Sequence, residues 1–568
     1  MKYLLMMLVA TFAVAGSIQP ELLLDMARAA RGEVIPVVVL MEGSLDYQWV
    51  QTSTAGMTRS ERQQFVVEAL KANAIVSQQA VLESIAGQQV EQLVPFWLVN
   101  GFYCHTTPEV IRNLSTRSDV RYIERGNVGG SLIEPVAQRD PDPAQRAVAW
   151  GVSKINAPDV WALGYEGEGV IVGVIDTGVY YTHTDLGNNM WHDTPAGYHY
   201  GWDFYDNDSD PMDIYGHGTH CAGTVAGDGT AGTETGVAPS ATIMALRINY
   251  YYGGEATWVQ AMEFGTEHGA SVLTMSLGSY TGVAFLREAE EALLLAGVVH
   301  SVAAGNSGPG GGTILGSGDC PPPWFHPNQT YHGGQSAVVT VGATDSNDNI
   351  ASFSSRGPVT WWGSVAPWND YSDSQPLIDP DVSGPGVNVL STMMGGGYTT
   401  MDGTSMATPH VAGVMALMLS ANPELTVSEI DQILEETSID LGAAGKDNTF
   451  GAGRINALAA VNAALGLVGT SEENHAGVEA GSLVLSAVSP NPVNGSAAFS
   501  LYMPATGDVS ISVFDVAGRA VAQVHSGQLS SGSHSYLWSL PENIGNGIYF
   551  VRATAPGGTA VSRMTVVR

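Results

Sequence analysis

The chain has 568 residues and carries 55 acidic against 22 basic side chains, a formal net charge of −33 at pH 7. Such a charge repels nucleic acid and anionic membranes and so argues against both as partners, whereas it suits the binding of cations. The length exceeds what one hydrophobic core usually holds, so two or three domains are expected. Three cysteines are too few for a disulfide framework.

The first 15 residues have the pattern of a secretory signal peptide. Lys2 precedes an apolar run over residues 3–14, and Ala13 and Ala15 form an Ala-x-Ala cleavage pattern. The run is too short to span a membrane, and no later stretch offers 18 uninterrupted apolar residues. We therefore expect a soluble mature protein that is exported.

Residues 16–138 predict a small α+β region. An apolar strand is expected at 34–40, a helix near 59–93, and a second strand-helix-strand segment that ends at 120–124.

Residues 139–466 predict an α/β domain with a doubly wound, mostly parallel sheet, because short β-branched segments alternate with helical ones. The apolar run at 405–419 predicts a buried helix, and Pro409 is tolerated near its first turn. The predicted buried strands are residues 170–175, 242–247, 271–275, 298–302 and 337–341.

Three separated motifs within this region carry the residue types of nucleophilic catalysis. They read Val174-Ile-Asp-Thr-Gly-Val179, Gly216-His-Gly-Thr-His220 and Gly403-Thr-Ser-Met-Ala-Thr-Pro409. A serine hydroxyl needs an imidazole to take its proton and a carboxylate to orient that imidazole. A fourth motif, Ala303-Ala-Gly-Asn306, follows a predicted strand. The order Asp, His, Ser is one of three in which such triads occur.

In these four motifs the chain resembles the subtilisin-like serine peptidases, or subtilases. The resemblance implies that Ser405 is the nucleophile, His217 its general base and acid, and Asp176 the orienting carboxylate. It further implies that the side chain of Asn306 completes the oxyanion hole beside the Ser405 backbone N–H. The substrate is expected to bind as an extended strand along Ser276, Leu277, Gly278, Ala304 and Gly305.

The same resemblance interprets residues 16–138 as a propeptide that acts as intramolecular chaperone and inhibitor. Its tail would pass through the active site and be cut between about 125 and 146. A large parallel sheet folds slowly, which gives a physical reason for such a template. An unrelated N-terminal domain is the alternative.

An acidic run before His217 resembles a calcium loop of thermitase-like subtilases. Close carboxylates repel one another unless a hard cation gathers them, although a solvated acidic turn is the alternative. Met212 replaces a family glutamine ligand, and a second calcium site is expected at Asp185 and Asp142. The ligands expected in the run are Asp203, Asp206, Asp208, Asp210 and Asp213, and no organic cofactor is expected.

Cys221 matches a position where proteinase-K-like members carry a buried thiol. We expect it to be free and not the nucleophile, with a Cys221–Cys320 bridge as the alternative. His220 and His410 are interpreted as structural, hydrogen-bonded core residues. An insertion after Asn306 follows the segment expected to line the main specificity pocket, so the side-chain preference is open.

Residues 467–482 are predicted to be a linker, and residues 483–568 a β-sandwich of period-two strands. The segments Ser489-Pro-Asn-Pro-Val493, Asp515-Val-Ala-Gly-Arg519 and Gly547-Ile-Tyr-Phe-Val-Arg552 resemble C-terminal sorting domains of the type IX secretion system. A generic immunoglobulin-like stability or carbohydrate-binding module is the alternative.

Together these features predict a secreted or cell-surface serine endopeptidase, autoprocessed from a proenzyme and monomeric. Its expected partners are protein and peptide substrates, its own propeptide, and a secretion machinery that recognises the C-terminal domain. The competing hypothesis is an inactive exported scaffold that binds at the cell surface.

Overall fold

The computed structural model describes residues 16–466 and 483–566 with short gaps. The predicted signal peptide, the predicted linker and Asp142 lie outside the described residues. The gaps in the first range are positions 44, 46, 55, 141–147, 250–253, 362–367 and 369; those in the second range are 486–492, 494, 504, 516–518, 542–543, 546 and 556–557.

The N-terminal region folds as one five-stranded sheet with four helices. Its sheet order is β1-β5-β2-β4-β3. The strands are β1 (Ser17–Ile18), β2 (Ile35–Met41), β3 (Val90–Phe96), β4 (Gly101–Thr106) and β5 (Val120–Arg125), and the helices are α1 (Pro20–Arg28), α2 (Tyr47–Ser53), α3 (Arg59–Ile85) and α4 (Pro108–Ser115).

One predicted boundary in this region is wrong. The helix expected near 59–93 ends at Ile85, and the chain then enters strand β3 at Val90. Ala86 leaves the helical conformation with a ψ of 126°, and Gly87, with a φ of +77°, completes a turn in which Gln88 N donates to the Ile85 oxygen at 3.0 Å.

Two short strands follow, β6 (Ser131–Leu132) and β7 (Ala137–Arg139), and lead into the large α/β region. Its sheet has seven strands in the order β11-β12-β8-β13-β15-β16-β17, and every neighbouring pair is parallel. The expected α/β parallel sheet is confirmed. The strands of this sheet are β8 (Ile171–Asp176), β11 (Gly201–Asp203), β12 (Thr242–Arg247), β13 (Val272–Met275), β15 (Val299–Ala303), β16 (Val338–Thr344) and β17 (Val382–Pro385).

The remaining strands of this region form small ladders beside the sheet. The predicted buried helix is confirmed as the long helix α10, which packs against β13, β15, β16 and β17. The small-ladder strands are β9 (His192–Asp193), β10 (Tyr198–His199), β14 (Leu277–Gly278), β18 (Val389–Thr392) and β19 (Tyr398–Asp402); the helices are α5 (Trp150–Lys154), α6 (Ala157–Trp161), α7 (His217–Ala226), α8 (Glu255–Glu267), α9 (Ala284–Ala296), α10 (Thr404–Ala421), α11 (Val427–Thr437) and α12 (Ala457–Ala464).

The chain order of the sheet creates a switch point at its centre. After β8 the chain adds β11 and β12 on one side, and it then crosses to β13 and continues to β15 on the other side. A crevice therefore opens outside the carboxyl ends of β8 and β13, the usual place for a ligand in an open α/β sheet.

The C-terminal region consists of two antiparallel sheets, ordered β20-β21-β24 and β23-β22-β25-β26. Apolar side chains from both sheets, among them Phe499 and Val551, share one core. The strands are β20 (Val484–Leu485), β21 (Ser496–Met503), β22 (Gly507–Asp515), β23 (Ala520–Leu529), β24 (Gly532–Ser539), β25 (Gly547–Ala555) and β26 (Gly558–Val566). No helix among the described residues has the length and apolar character needed to span a membrane.

Candidate active site

Asp176 and His217 form a buried hydrogen-bonded pair at the switch point. Asp176 ends β8, and His217 begins α7. The imidazole Nδ1 lies 2.8 Å from Oδ1 and 3.0 Å from Oδ2 of Asp176. Burial opposes the charged imidazolium, but the carboxylate of Asp176 and the sulfur of Cys221 together outweigh burial and raise the pKa of His217 well above its ordinary value. The pair therefore stabilises the cation that forms when His217 accepts a proton.

The opposite nitrogen, Nε2 of His217, is buried and has no hydrogen-bond partner among the described residues. Buried polar atoms rarely lack a partner without a reason. An imidazole whose Nδ1 is held by a carboxylate and whose Nε2 is open has the arrangement of a general base.

Asp213 holds the turn that carries His217. Its two oxygens accept five hydrogen bonds, and its side chain is buried. The donors are Thr177 Oγ1 at 3.0 Å, Tyr215 N at 2.8 Å, Gly216 N at 2.8 Å, Thr219 N at 2.9 Å and Thr219 Oγ1 at 2.5 Å. Because three of these donors are backbone N–H groups around the start of α7, the carboxylate fixes where that helix begins.

Ser405 lies in the first turn of α10, and its side chain is fully buried by the chain that covers it. Its hydroxyl donates to the carbonyl oxygen of Ile133 at 2.8 Å. The segment around Ile133, which precedes position 138, therefore lies in contact with the serine. The N-terminus of a long helix also favours negative charge near its free N–H groups.

Asn306 is oriented by a residue next to the serine. Its Oδ1 accepts from both the backbone N and the Oγ1 of Thr404, each at 3.0 Å. This fixes the amide so that Nδ2 donates into the cleft, to the carbonyl oxygen of Glu134 at 2.9 Å. Gly305, with a φ of +109°, makes the left-handed turn that brings Asn306 there.

Comparison with known proteins agrees with this geometry. Residues 167–453 match the profile of the subtilase family. The chain is 37% identical to Subtilisin DY of Bacillus licheniformis over 320 residues, which cover 56% of this chain and 99% of that protein. The chain belongs to the subtilase family.

A second relative covers more of this subtilase. Subtilisin E of Bacillus subtilis (strain 168) is 30% identical over 418 residues, covering 72% of the chain and 93% of the relative. Residues 487–567 match a secretion system C-terminal sorting domain. The protein is thus a subtilisin-like serine peptidase with a type IX sorting domain at its C-terminal end.

The cleft of this subtilase holds a piece of its own chain. We call residues 128–135 the cleft segment. Its strand β6 pairs antiparallel with β14, and beyond the strand the Ile133 N donates to the Ser276 oxygen at 3.2 Å. The Glu134 side chain accepts from the Tyr215 hydroxyl at 2.7 Å. The sequence-predicted substrate residues Ser276, Leu277 and Gly278 therefore contact an extended strand, as a peptide substrate would lie.

Cys221 contacts both His217 and Ser405. Its Sγ is 3.8 Å from His217 Nδ1, 3.5 Å from the backbone carbonyl oxygen of Ser405 and 3.8 Å from Ser276 Oγ. Burial raises the pKa of its thiol. All three cysteines are free, so the predicted free thiol is confirmed and the alternative Cys221–Cys320 bridge is absent.

The two histidines that the sequence analysis interprets as structural, His220 and His410, are hydrogen-bonded within the core. His220 Nε2 lies 3.0 Å from the Val389 carbonyl oxygen, and His410 Nδ1 lies 2.8 Å from that of Met406. Burial lowers the pKa of His220 to about 3 and that of His410 to about 4. Both are neutral at pH 7, as a structural role requires.

Subtilases generally bind calcium, but the acidic run is arranged differently. Arg247 forms ion pairs with both Asp203 and Asp206 and supplies the positive charge that an ion would. Asp208 accepts from the backbone N of Asp210, and Asp210 from the Tyr181 hydroxyl. As arranged, these carboxylates do not form a metal site, and calcium binding there stays a prediction.

The same holds for the expected second site. Asp185 accepts from Ala231 N and from the Tyr398 hydroxyl, each at 2.5 Å, and Asp142 is outside the described residues. The described part of the chain has one group of three close metal-ligating side chains, Asp176, His217 and Cys221. Since Asp176 and His217 bind each other in the active site, this group does not indicate a metal.

Three functional contributions escaped the sequence analysis. Thr404 orients Asn306, and its position directly before Ser405 in the sequence could have indicated a role in the active site. Asp213 clamps the turn before His217, although its carboxylate resembled a calcium ligand in the sequence. Leu315 contacts the cleft from the insertion, with no signal in its own motif.

Proposed function

We propose that this subtilase is a secreted serine endopeptidase that hydrolyses peptide bonds in proteins through Ser405, His217 and Asp176. The observation that carries the proposal is a peptide carbonyl 2.8 Å from the Ser405 hydroxyl, with Cys221 in contact both with Ser405 and with a histidine whose Nε2 has no partner among the described residues. His217 takes the serine proton as the hydroxyl attacks, and Asp176 stabilises the imidazolium. The Asn306 amide and the Ser405 N–H stabilise the oxyanion.

The same residues then complete the turnover. His217 gives its proton to the leaving amine, which departs and leaves an acyl group on Ser405. Water enters, loses a proton to His217 and attacks the acyl group, and the serine hydroxyl is restored. No metal or organic cofactor takes part in these steps.

We further propose that the region beginning at residue 16 is an inhibitory propeptide that the enzyme removes itself. Support comes from its contacts: Glu124 accepts from the first N–H groups of α9, and Glu263 of α8 accepts from Trp97 N and Leu98 N. The cleft segment occupies the substrate groove in the same chain. A precursor with its groove filled in this way is inactive until it is cut.

The C-terminal region completes the proposed architecture. We infer a signal peptide at 1–15, a peptidase domain to residue 466, a linker at 467–482 and a β-sandwich sorting domain at 483–568. The shared core of the two C-terminal sheets supports the last of these. Recognition of this domain by a secretion machinery would deliver a monomeric peptidase to the medium or the cell surface.

Casein hydrolysis and precursor processing test the proposal together. The wild-type chain should shorten to mature size and cleave casein, whereas Ser405→Ala should stay at precursor length and leave casein intact. Ser307→Ala, which changes a serine beside the oxyanion asparagine, is the matched control and should process normally. A Ser405→Ala chain that matures without added protease would contradict self-cleavage, and an intact casein after propeptide removal would favour the inactive scaffold.

A further inference from the structure

We propose that this peptidase selects a compact aliphatic residue, isoleucine or valine, on the acyl side of the bond it cuts, because Leu315 shortens the specificity pocket. We infer also that its first substrate is its own Ile133–Glu134 bond. Both inferences rest on the proposed function.

The register of the cleft segment identifies the bond. Ser131 pairs with Gly278 and Leu132 with Leu277, and the Ile133 N continues the ladder to Ser276. Ile133 is then the residue whose carbonyl oxygen meets the Ser405 hydroxyl at 2.8 Å.

The chemistry at this bond balances with water as the only co-reactant. Ser405 Oγ bonds to the Ile133 carbonyl carbon and loses its proton to His217. The C–N bond to Glu134 breaks as that proton passes to the Glu134 nitrogen. Water then attacks the acyl group, and the new carboxyl group of Ile133 leaves as the serine recovers its proton.

The next bond along is a poorer candidate. Asn306 Nδ2 donates to the carbonyl oxygen of Glu134, one residue beyond the carbonyl nearest the serine. The Glu134–Pro135 bond, however, is a tertiary amide without an N–H. Its carbonyl also lies one position out of register with Ser276, which holds Ile133.

The side chain of Ile133 enters a small apolar pocket. It is buried, with 5% of its surface exposed. Its Cδ1 lies 3.3 Å from the point where a Cβ on Gly278 would stand, and Leu315 Cδ1 lies 2.6 Å from that same point. At Gly305, Leu315 Cγ and Cδ1 lie 2.9 Å and 3.0 Å from the corresponding point. Leu315 therefore fills the space between the two glycine-bearing strand ends.

Backbone pairing on both sides holds Leu315 in this place. Its N–H donates to the Ala304 oxygen at 3.0 Å, and the following Gly316 exchanges hydrogen bonds with Ser279 at 2.6 Å and 3.2 Å. The segment is thus clamped between the ends of β14 and β15. A larger substrate side chain cannot displace it without breaking these bonds.

The pocket that remains suits a branched aliphatic side chain. An aromatic ring would meet Leu315, and a charged group would exchange its water for apolar atoms and a single hydroxyl, that of Ser355, which lies 2.9 Å from the point on Gly305. Discrimination by such a pocket typically reaches about 10–200-fold per methylene-sized difference. We therefore expect at least about tenfold preference for isoleucine or valine over phenylalanine in kcat/KM.

Tetrapeptide anilides test the specificity pocket in protein that is expressed at full length and allowed to process itself. The series is succinyl-Gly-Ser-Leu-Xaa-p-nitroanilide, which copies residues 130–132 and varies Xaa over Ile, Val, Leu, Phe and Lys. Leu315→Ala should raise the Phe to Ile ratio of kcat/KM by about tenfold or more. Leu163→Ala, an exposed leucine elsewhere on the domain, is the control and should leave the ratio unchanged. Rates are divided by the fraction of chain that a fluorophosphonate labels, which removes any folding defect.

Self-processing gives an independent readout. Ile133→Phe should slow maturation about tenfold or more, and adding Leu315→Ala should restore it. N-terminal sequencing of the newly matured wild type should begin at Glu134. The protein could react with the fluorophosphonate and cleave the anilides but prefer phenylalanine, or Leu315→Ala could leave its Phe to Ile ratio of kcat/KM unchanged. Either result would refute the proposed pocket and leave the proposed function standing. A first cut after Glu134 would overturn the assigned bond, and a chain that never labels would overturn both.

Discussion

Replacing Asp213 with alanine should destabilise the peptidase region strongly, and equally with and without calcium. The change removes the acceptor of five hydrogen bonds. The hydroxyl donors can turn to other acceptors, but the buried N–H groups of Gly216 and Thr219 cannot. A hydrogen bond to a charged group contributes about 1.5–3 kcal/mol, so the loss of these two costs about 3 kcal/mol or more. At about 2–4 °C per kcal/mol the Tm should fall by about 6 °C or more.

The assay is thermal unfolding followed by tryptophan fluorescence, in a Ser405→Ala background that prevents self-digestion. Each variant is scanned in calcium and in a chelator. Asp210→Ala is the matched control, because that exposed carboxylate accepts only from the Tyr181 hydroxyl in the structure, and its Tm should change by about 1 °C or less. A Tm loss for Asp213→Ala that appears in calcium and vanishes in chelator would refute the hydrogen-bond clamp and identify a calcium ligand.

Three further outcomes are expected. Asn306→Ala should lower kcat about 10²–10³-fold with little change in KM on the tetrapeptide anilides; a loss confined to KM would contradict an oxyanion role. Gly130→Ala should slow self-processing, because a Cβ there would lie 2.6 Å from Glu255 Cγ and would push the cleft segment away from α8. An unchanged time course of processing on immunoblots would contradict this placement of the cleft segment. Burial raises the pKa of Glu124 from 4.5 to about 8. Below pH 4.5 its protonation therefore favours docking of the N-terminal region on the peptidase region. This contribution to docking is lost as the pH rises towards 8. After cleavage, more of the N-terminal region should therefore co-elute with the peptidase at pH 5 than at pH 9, and Glu124→Gln should flatten the difference.

Much of the fold could be predicted from the sequence, because buried parallel strands have a distinct composition. The segments ending at Asp176 and before Asn306 are rich in β-branched residues, and they form β8 and β15, which are buried on both faces as expected. The catalytic side chains follow such strands or begin helices, so their motifs also predicted where they lie. The end of helix α3 was missed because the turn at Gly87 ends the helix, although the polar residues that follow Gly87 are also compatible with a helix.

The acidic run shows where sequence reasoning fails. Asp203 and Asp213 carry the same side chain within one short stretch, yet one pairs with Arg247 and the other accepts from a turn. The difference depends on the backbone N–H groups of the turn at 215–219 and on the distant Arg247, and both lie outside the acidic run at 203–210. The specificity pocket was hidden for the same reason, because Leu315 and Ile133 are brought together only by pairing with strands far from both in sequence.

The central claim is that Ser405 is an activated nucleophile. The direct test is to express the full-length protein, let it process itself, and label it with a fluorophosphonate, followed by mass spectrometry of the modified peptide. We expect one adduct per chain, on Ser405, and no labelling of Ser405→Ala. Absence of the adduct after confirmed removal of the N-terminal region, or an adduct on another serine, would contradict it.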